Sequence, residues 1–162
     1  MENEKLIEKA VRKDPDAFCS LLQLYARDMY RVALAILMND EDVADALQDV
    51  ALTCWDKIGT LRKPEYFKTW LIRIVINKSR EILRKNRKYA DIENIPEAAA
   101  EDCYNLELKE ALRRLDEKYR MPVILYYFEG YDTGKIGEIL KIPQSTVRTR
   151  LQRAREKLKE II

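Results

Sequence analysis

The spacing of apolar side chains predicts helices along almost the whole chain. Before residue 90, apolar positions recur at intervals of three and four, which predicts helices over residues 4–12, 14–36, 39–58 and 67–82. Asp14-Pro15 and Asn39 are typical helix starts, and Gly59 is predicted to cap the end of the third helix. No segment alternates as a strand does, so the pattern indicates an all-α protein.

The last thirty residues predict a helix-turn-helix. After helices predicted over residues 106–115 and 119–128, two short helical patterns are joined by Lys141-Ile142-Pro143. Thr133 and Gly134 open the first, and the hydroxyls of Ser145 and Thr146 are predicted to cap the second. The second helical pattern has one apolar stripe, and its arginines lie on the remaining, polar side of the helix. This is the layout of a DNA-binding motif.

Composition excludes several classes of function. The 162 residues include four glycines and five prolines, and 47% are hydrophobic, which favours a helical protein with a packed core. The chain has no histidine, so serine–histidine and cysteine–histidine catalysis is excluded. We therefore expect a protein without enzymatic activity, bound metal or cofactor. Three scattered cysteines fit a reducing compartment, and neither a secretory signal nor a membrane span is evident, so we expect a cytoplasmic protein.

Charge is segregated although the net charge is only +2. Residues 32–56 contain six acids and no base, whereas residues 57–88 contain eleven bases and two acids. Adjacent acidic and basic helices suggest two charged partners, and phosphates suit the basic one. Solvated helix faces are the alternative explanation.

An acidic segment divides the chain. Residues 90–105 hold five acids, no base and Pro96, and lack a helical stripe, so they are predicted to be a linker. Residues 1–89 and 106–162 are therefore predicted to be two small helical domains. The linker is either a solvated tether or a segment with a functional role of its own.

Two stretches of sequence resemble bacterial RNA polymerase sigma factors of the extracytoplasmic-function type. The first contains Ala44-Asp45-Ala46-Leu47-Gln48-Asp49-Val50 and Phe67-Lys68-Thr69-Trp70. The second runs from Leu115 to Val123 and resumes at Thr146-Val147-Arg148-Thr149-Arg150. The resemblance spans residues 16–158 and implies a region 2 domain, a linker and a region 4 domain, which together direct promoter-specific transcription initiation.

The resemblance implies a polymerase-binding surface. In the family, the helix with this pattern docks on the clamp coiled coil of the largest subunit of core RNA polymerase. Its residues here are Asp45, Gln48 and Asp49, whose spacing of three and four places them on one helix face. The resemblance also implies contact with the flap of the second-largest subunit and an anti-sigma factor as a further partner.

Two promoter-binding surfaces are implied as well. Region 2 is expected to bind the melted −10 element through Arg62, Lys63, Phe67, Arg73, Asn77 and Arg80, with core packing as the alternative for Phe67 and for Trp70. Region 4 is expected to bind the duplex −35 element through Thr146, Arg148, Thr149, Arg150 and Arg153. Arginine can contact either a guanine edge or a phosphate, and the sequence leaves both uses open.

The first helix of the motif departs from the family pattern. Lys135 stands where an acid is usual, and Gly137 stands where a small helix former is usual. Gly137 should cost about 1 kcal/mol of helix propensity relative to alanine. A free-standing regulator that binds duplex operator DNA is the alternative function, but it needs neither the acidic helix nor the acidic linker.

Overall fold

The computed structural model describes residues 2–87 and 106–161, all in helices, turns and loops. The predicted linker, residues 90–105, lies outside the described residues. The N-terminal half comprises α1 (Glu2–Val11), α2 (Pro15–Leu24), α3 (Ala26–Leu37), α4 (Asp40–Lys57) and α5 (Phe67–Arg87). The C-terminal half comprises α6 (Leu106–Arg113), α7 (Glu117–Val123), α8 (Thr133–Leu140) and α9 (Gln144–Ile161), with a π-helical turn at Ile124–Phe128 that continues α7.

Three local predictions were wrong. The helix predicted over residues 14–36 is two helices, because Tyr25 (φ −101°, ψ 9°) leaves helical geometry between α2 and α3. Gly59 is not a left-handed cap, since α4 runs into a 3₁₀ turn at Ile58–Thr60. Ser145 and Thr146 lie inside the first turn of α9 rather than ahead of it.

Helix α3 forms the centre of the N-terminal half. Every side chain from Val32 to Leu37 is buried, and α4 and α5 pack against this helix from two sides. The predicted start of α4 is confirmed, because Asn39 Oδ1 accepts hydrogen bonds from the backbone of Glu41 and Asp42 at 2.9 and 3.1 Å. These caps fix where α4 begins and therefore which of its side chains face solvent.

The helix-turn-helix is held by a close backbone approach. Gly137 is buried on α8, and a Cβ atom there would lie 2.8 Å from the carbonyl oxygen of Ile142. Lys141 ends α8 in the left-handed region (φ 60°), and the N–H of Ile142 returns to the Gly137 carbonyl at 3.0 Å. Helix α8 begins at Thr133, as predicted, and Asp132 caps it by accepting a hydrogen bond from Lys135 N at 2.8 Å.

The two halves pack against each other through α3 and α7. Arg120 of α7 is 7% exposed and donates to the carbonyl of Ala35 in the N-terminal half. The same guanidinium donates to the carbonyls of Leu112 and Leu115 at 3.3 and 2.8 Å. One buried arginine thus joins α3, α6 and the turn after α6.

Candidate nucleic-acid and polymerase interfaces

The predicted polymerase-binding residues share an exposed face of α4. Val43, Ala46, Val50 and Cys54 are the buried side of this helix, and Asp45, Gln48 and Asp49 are exposed on the other side. Within residues 2–87 and 106–161, no cation lies within ion-pairing distance of Asp45 or Asp49. The face is therefore a surface of uncompensated negative charge.

A cleft lies between the loop after α4 and the start of α5. Its lining combines cations with aromatic rings, namely Thr60, Leu61, Arg62, Tyr66, Thr69, Trp70, Arg73 and, from the C-terminal half, Lys135. The empty volume is about 720 Å³, including the part open to solvent. Guanidinium groups beside aromatic rings can hold a phosphate while a base stacks.

Phe67, predicted either as a −10 contact or as part of the core, lies in the core. It is 0% exposed, and its ring packs against Tyr25 and Trp70 with centroids 5.3 and 5.8 Å apart. A ring enclosed in this way supports the cleft from below and cannot stack on a base. Trp70 is half-buried and lines the cleft, so it has both a packed side and an open side.

The other predicted −10 residues fall into two environments. Arg62, Lys63, Arg73 and Asn77 are exposed, and the ammonium of Lys63 lies 5.9 Å from the ring centroid of Tyr66. Arg80 instead turns to the C-terminal half, where its Nη2 is 3.3 Å from Oε1 of Glu117. Arg80 is therefore the one residue of this predicted set that the packing of the two halves engages in a described ion pair.

The predicted −35 residues lie along α9, whose buried side is Val147, Leu151 and Ala154. A shallow polar cleft gathers four of them beside α7, lined by Lys118, Tyr119, Ser145, Thr146, Thr149, Arg150 and Arg153. A hydrogen bond from Arg153 lowers the pKa of the Tyr119 hydroxyl. Arg148 is exposed but lies outside this cleft.

Three residues with suitable chemistry were missed by the sequence argument. Gln152 is exposed between Arg148 and Arg153, and a glutamine amide can pair with an adenine edge. Tyr66 is 51% exposed at the cleft, and Lys135 reaches the same cleft from the other half. Gln152 follows Arg148 by four positions on α9, so helical spacing alone could have identified it. The position of Lys135 at the cleft depends on how the two halves pack, which helical spacing does not predict.

A buried charge cluster lies where the halves meet. Glu129 follows the π-helical turn, and its carboxylate lies 3.4 Å from Nζ of Lys68 and 3.8 Å from Nε of Arg31. Burial and the neighbouring Asp28 raise the pKa of Glu129 to about 7, against the opposing effect of the two cations. Lys68 also donates to the Glu129 carbonyl at 3.1 Å, so part of the α5 surface is covered by the C-terminal half.

Comparison with known proteins identifies the family of this chain. Residues 21–89 match Sigma-70 region 2, and residues 105–158 match Sigma-70, region 4. The RNA polymerase sigma factor SigV of Bacillus subtilis is 33% identical over 80% of this chain and 81% of its own. SigW of the same organism, an ECF RNA polymerase sigma factor, is 29% identical over 97% of this chain and 95% of its own. The chain belongs to the extracytoplasmic-function (ECF) sigma factors.

Two solved structures share the fold of this chain. RpoE of Bartonella quintana, in complex with the anti-sigma factor NepR, superposes with a TM-score of 0.77 at 24% identity, covering 89% of this chain and 95% of that one. CnrH, in complex with the cytosolic domain of CnrY, gives 0.72 at 23% identity, covering 98% and 96%. In this sigma factor, no helix of the described residues is long and apolar enough to cross a membrane.

Proposed function

We propose that this sigma factor directs core RNA polymerase to promoters through three separate surfaces. The exposed face of α4, with Asp45, Gln48 and Asp49, binds the clamp coiled coil of the largest polymerase subunit. The unpaired acids support this assignment because they complement a basic partner and steer its approach. Polymerase binding then belongs to residues 1–89, together with binding of the −10 element.

The cleft beside α5 is proposed to hold the melted −10 strand. Arg62 and Arg73 supply cations, and Tyr66 and Trp70 supply aromatic faces, in one open cavity. Each stacked base in such a site contributes about 1–3 kcal/mol, and it does so with little dependence on sequence. Lys63 and Asn77, both exposed nearby, extend the surface along the strand.

The face of α9 is proposed to bind the −35 duplex in the major groove. Arg148, Thr149 and Arg153 are exposed, with Gln152 among them, and the opposite side of the helix is buried. A helix held in this way presents its polar face to base edges. This assignment places −35 binding in residues 106–162, with Thr146 and Arg150 at the half-buried edge of the surface.

An anti-sigma factor and the polymerase flap are proposed as further partners. The solved relatives RpoE and CnrH were each captured with a partner, NepR and the cytosolic domain of CnrY. We propose a cytoplasmic, non-catalytic initiation factor without a cofactor. The alternative of a free-standing operator-binding regulator is not favoured, because the chain matches both sigma regions.

The observation that carries the proposal is the separation of an acidic face on α4 from basic faces on α5 and α9. Co-purification with core polymerase and promoter footprinting test it together. Asp45→Asn combined with Asp49→Asn should lower polymerase retention at least tenfold. Arg153→Ala should leave retention unchanged and remove protection of the −35 element.

Matched controls separate a specific effect from a general charge effect. Glu8→Gln removes an exposed acid from α1, and Lys159→Ala removes an exposed base from the last turn of α9. Both variants should show the same polymerase retention and the same promoter protection as the unaltered protein. Equal retention of the doubly substituted α4 variant and the parent would refute the polymerase-binding assignment.

A further inference from the structure

An exposed leucine lies in the middle of the acidic face of α4. Leu52 is 65% exposed, the highest value for a large apolar side chain among the residues that the structure describes. It follows Gln48 by four positions and Asp49 by three, and it precedes Asp56 by four. Since residues three and four apart are neighbours on a helix surface, Leu52 is flanked by these polar side chains and by the half-buried Trp55.

Helix stability does not explain this arrangement. Asp45 and Asp49 repel each other at a spacing of four, and Asp56 lies in the last turn, where the helix dipole disfavours an acid. None of the three has an ion-pair partner among the described residues. The face thus costs the isolated helix some stability, as expected of a surface that serves a partner.

Among the residues that the structure describes, helix α4 has its main contacts with α3, with α5 and with the 3₁₀ turn that follows it, all within the N-terminal half. Leu52 is therefore uncovered even where the two halves are packed together. A leucine left exposed beside Gln48, Asp49 and Asp56 has the composition of a binding-site centre, with an apolar anchor and a polar rim.

We propose that Leu52 is the apolar anchor of the polymerase-docking face and inserts between basic side chains of the clamp coiled coil. This inference rests on the proposed function of α4. The occupant must be a helix or helix pair that presents an apolar position flanked by lysine or arginine. The acids then set the approach and orientation, and burial of Leu52 slows dissociation.

The test compares dissociation of core polymerase from two leucine variants of the full-length chain. Leu52→Gln keeps the side-chain length and helix propensity but removes the apolar anchor. Full burial of a leucine corresponds to about a 10- to 100-fold change in affinity, so we expect a loss of that order, mainly in the dissociation rate. Leu52→Met should restore binding to within a fewfold.

Leu24→Gln is the matched control. Leu24 is 54% exposed at the end of α2, away from the acidic face. The apolar role also predicts a distinct salt dependence. Asp45→Asn with Asp49→Asn should flatten the dependence of affinity on salt, because ionic contacts are screened, whereas Leu52→Gln should weaken binding at every salt concentration and leave the slope unchanged.

The outcomes separate this inference from the proposed function. If Leu52→Gln binds polymerase as the parent does while the double aspartate variant binds weakly, the anchoring role of Leu52 is refuted. The assignment of α4 as the docking face is then still supported. If neither change affects binding, both are refuted. An equal loss for Leu24→Gln would also overturn the anchor, because the effect would then not belong to the α4 face.

Discussion

Gly137 shows how a missing side chain sets the turn of the helix-turn-helix. The sequence pattern suggested a cost, because glycine is a poor helix former. The structure shows a requirement instead, since a Cβ would lie 2.8 Å from the Ile142 carbonyl oxygen. Sequence alone could not show this, because the clash involves backbone on the far side of the turn.

Gly137→Ala should therefore destabilise the C-terminal half. The clash with a backbone oxygen, at about 1–3 kcal/mol for an overpacked site, outweighs the gain of about 1 kcal/mol in helix propensity. Gly134→Ala is the control on the same helix, where the nearest atom is Oδ1 of the capping Asp132 side chain at 3.3 Å, a milder contact than the one with a backbone oxygen. Thermal unfolding followed by circular dichroism compares them, and a higher melting temperature for Gly137→Ala than for the parent would contradict the account.

At the scale of elements, apolar spacing located most helices because each has one buried side. The starts of α2 and α4 were predictable from Asp14 and Asn39, whose caps the structure confirms. The break at Tyr25 was not predictable, since apolar spacing continues across it while the backbone turns. The break lies in the backbone angles of Tyr25 (φ −101°, ψ 9°), and apolar spacing contains no information on them.

The α3–α7 packing depends on Arg120. Replacement by methionine keeps the length of the side chain but leaves the carbonyls of Ala35, Leu112 and Leu115 without this donor. We expect Arg120→Met to lower the free energy of unfolding by about 2–5 kcal/mol, because several buried acceptors lose a charged donor. Denaturant titration measures this loss.

Arg114→Met supplies the comparison for that substitution. Arg114 is exposed next to the same turn and should change stability by less than about 0.5 kcal/mol. Similar losses for the two variants would mean that the Arg120 hydrogen bonds do not hold the halves together.

At the scale of the molecule, the packed halves cannot bind both promoter elements at once. Elements about 25 base pairs apart are separated by about 85 Å at 3.4 Å per base pair. A compact chain of this length has a radius of gyration of only about 15 Å. The packed form leaves α4 exposed but engages Lys68 and Arg80 of α5, so docking on polymerase can precede separation of the halves.

Separation of the halves should depend on pH through Glu129. Its pKa is about 7 when packed beside Asp28, Arg31 and Lys68, against an ordinary value of 4.5. The packed form therefore holds the proton more tightly. The stabilisation that protonated Glu129 gives to the packed form is complete below about pH 4.5. It is lost as the pH rises through about 7.

Energy transfer between dyes on the two halves measures this dependence. The unaltered protein should open progressively between about pH 5 and pH 8, whereas Glu129→Gln, which is neutral at every pH, should remain packed across that range. The other ionisable groups around the site, Tyr25, Asp28, Arg31, Lys68 and Tyr131, are unchanged in this variant. The same pH profile in both proteins would show that another group controls opening.

Transcription by core polymerase reconstituted with the purified chain tests the central claim most directly. Run-off products from genomic fragments, including the gene's own upstream region, should start at defined sites and disappear when either the −10 or the −35 sequence is scrambled. The double Asp45→Asn, Asp49→Asn variant should give no product, and Lys159→Ala should give the same products as the parent. Absence of promoter-specific transcripts with a folded, polymerase-bound chain would contradict the account.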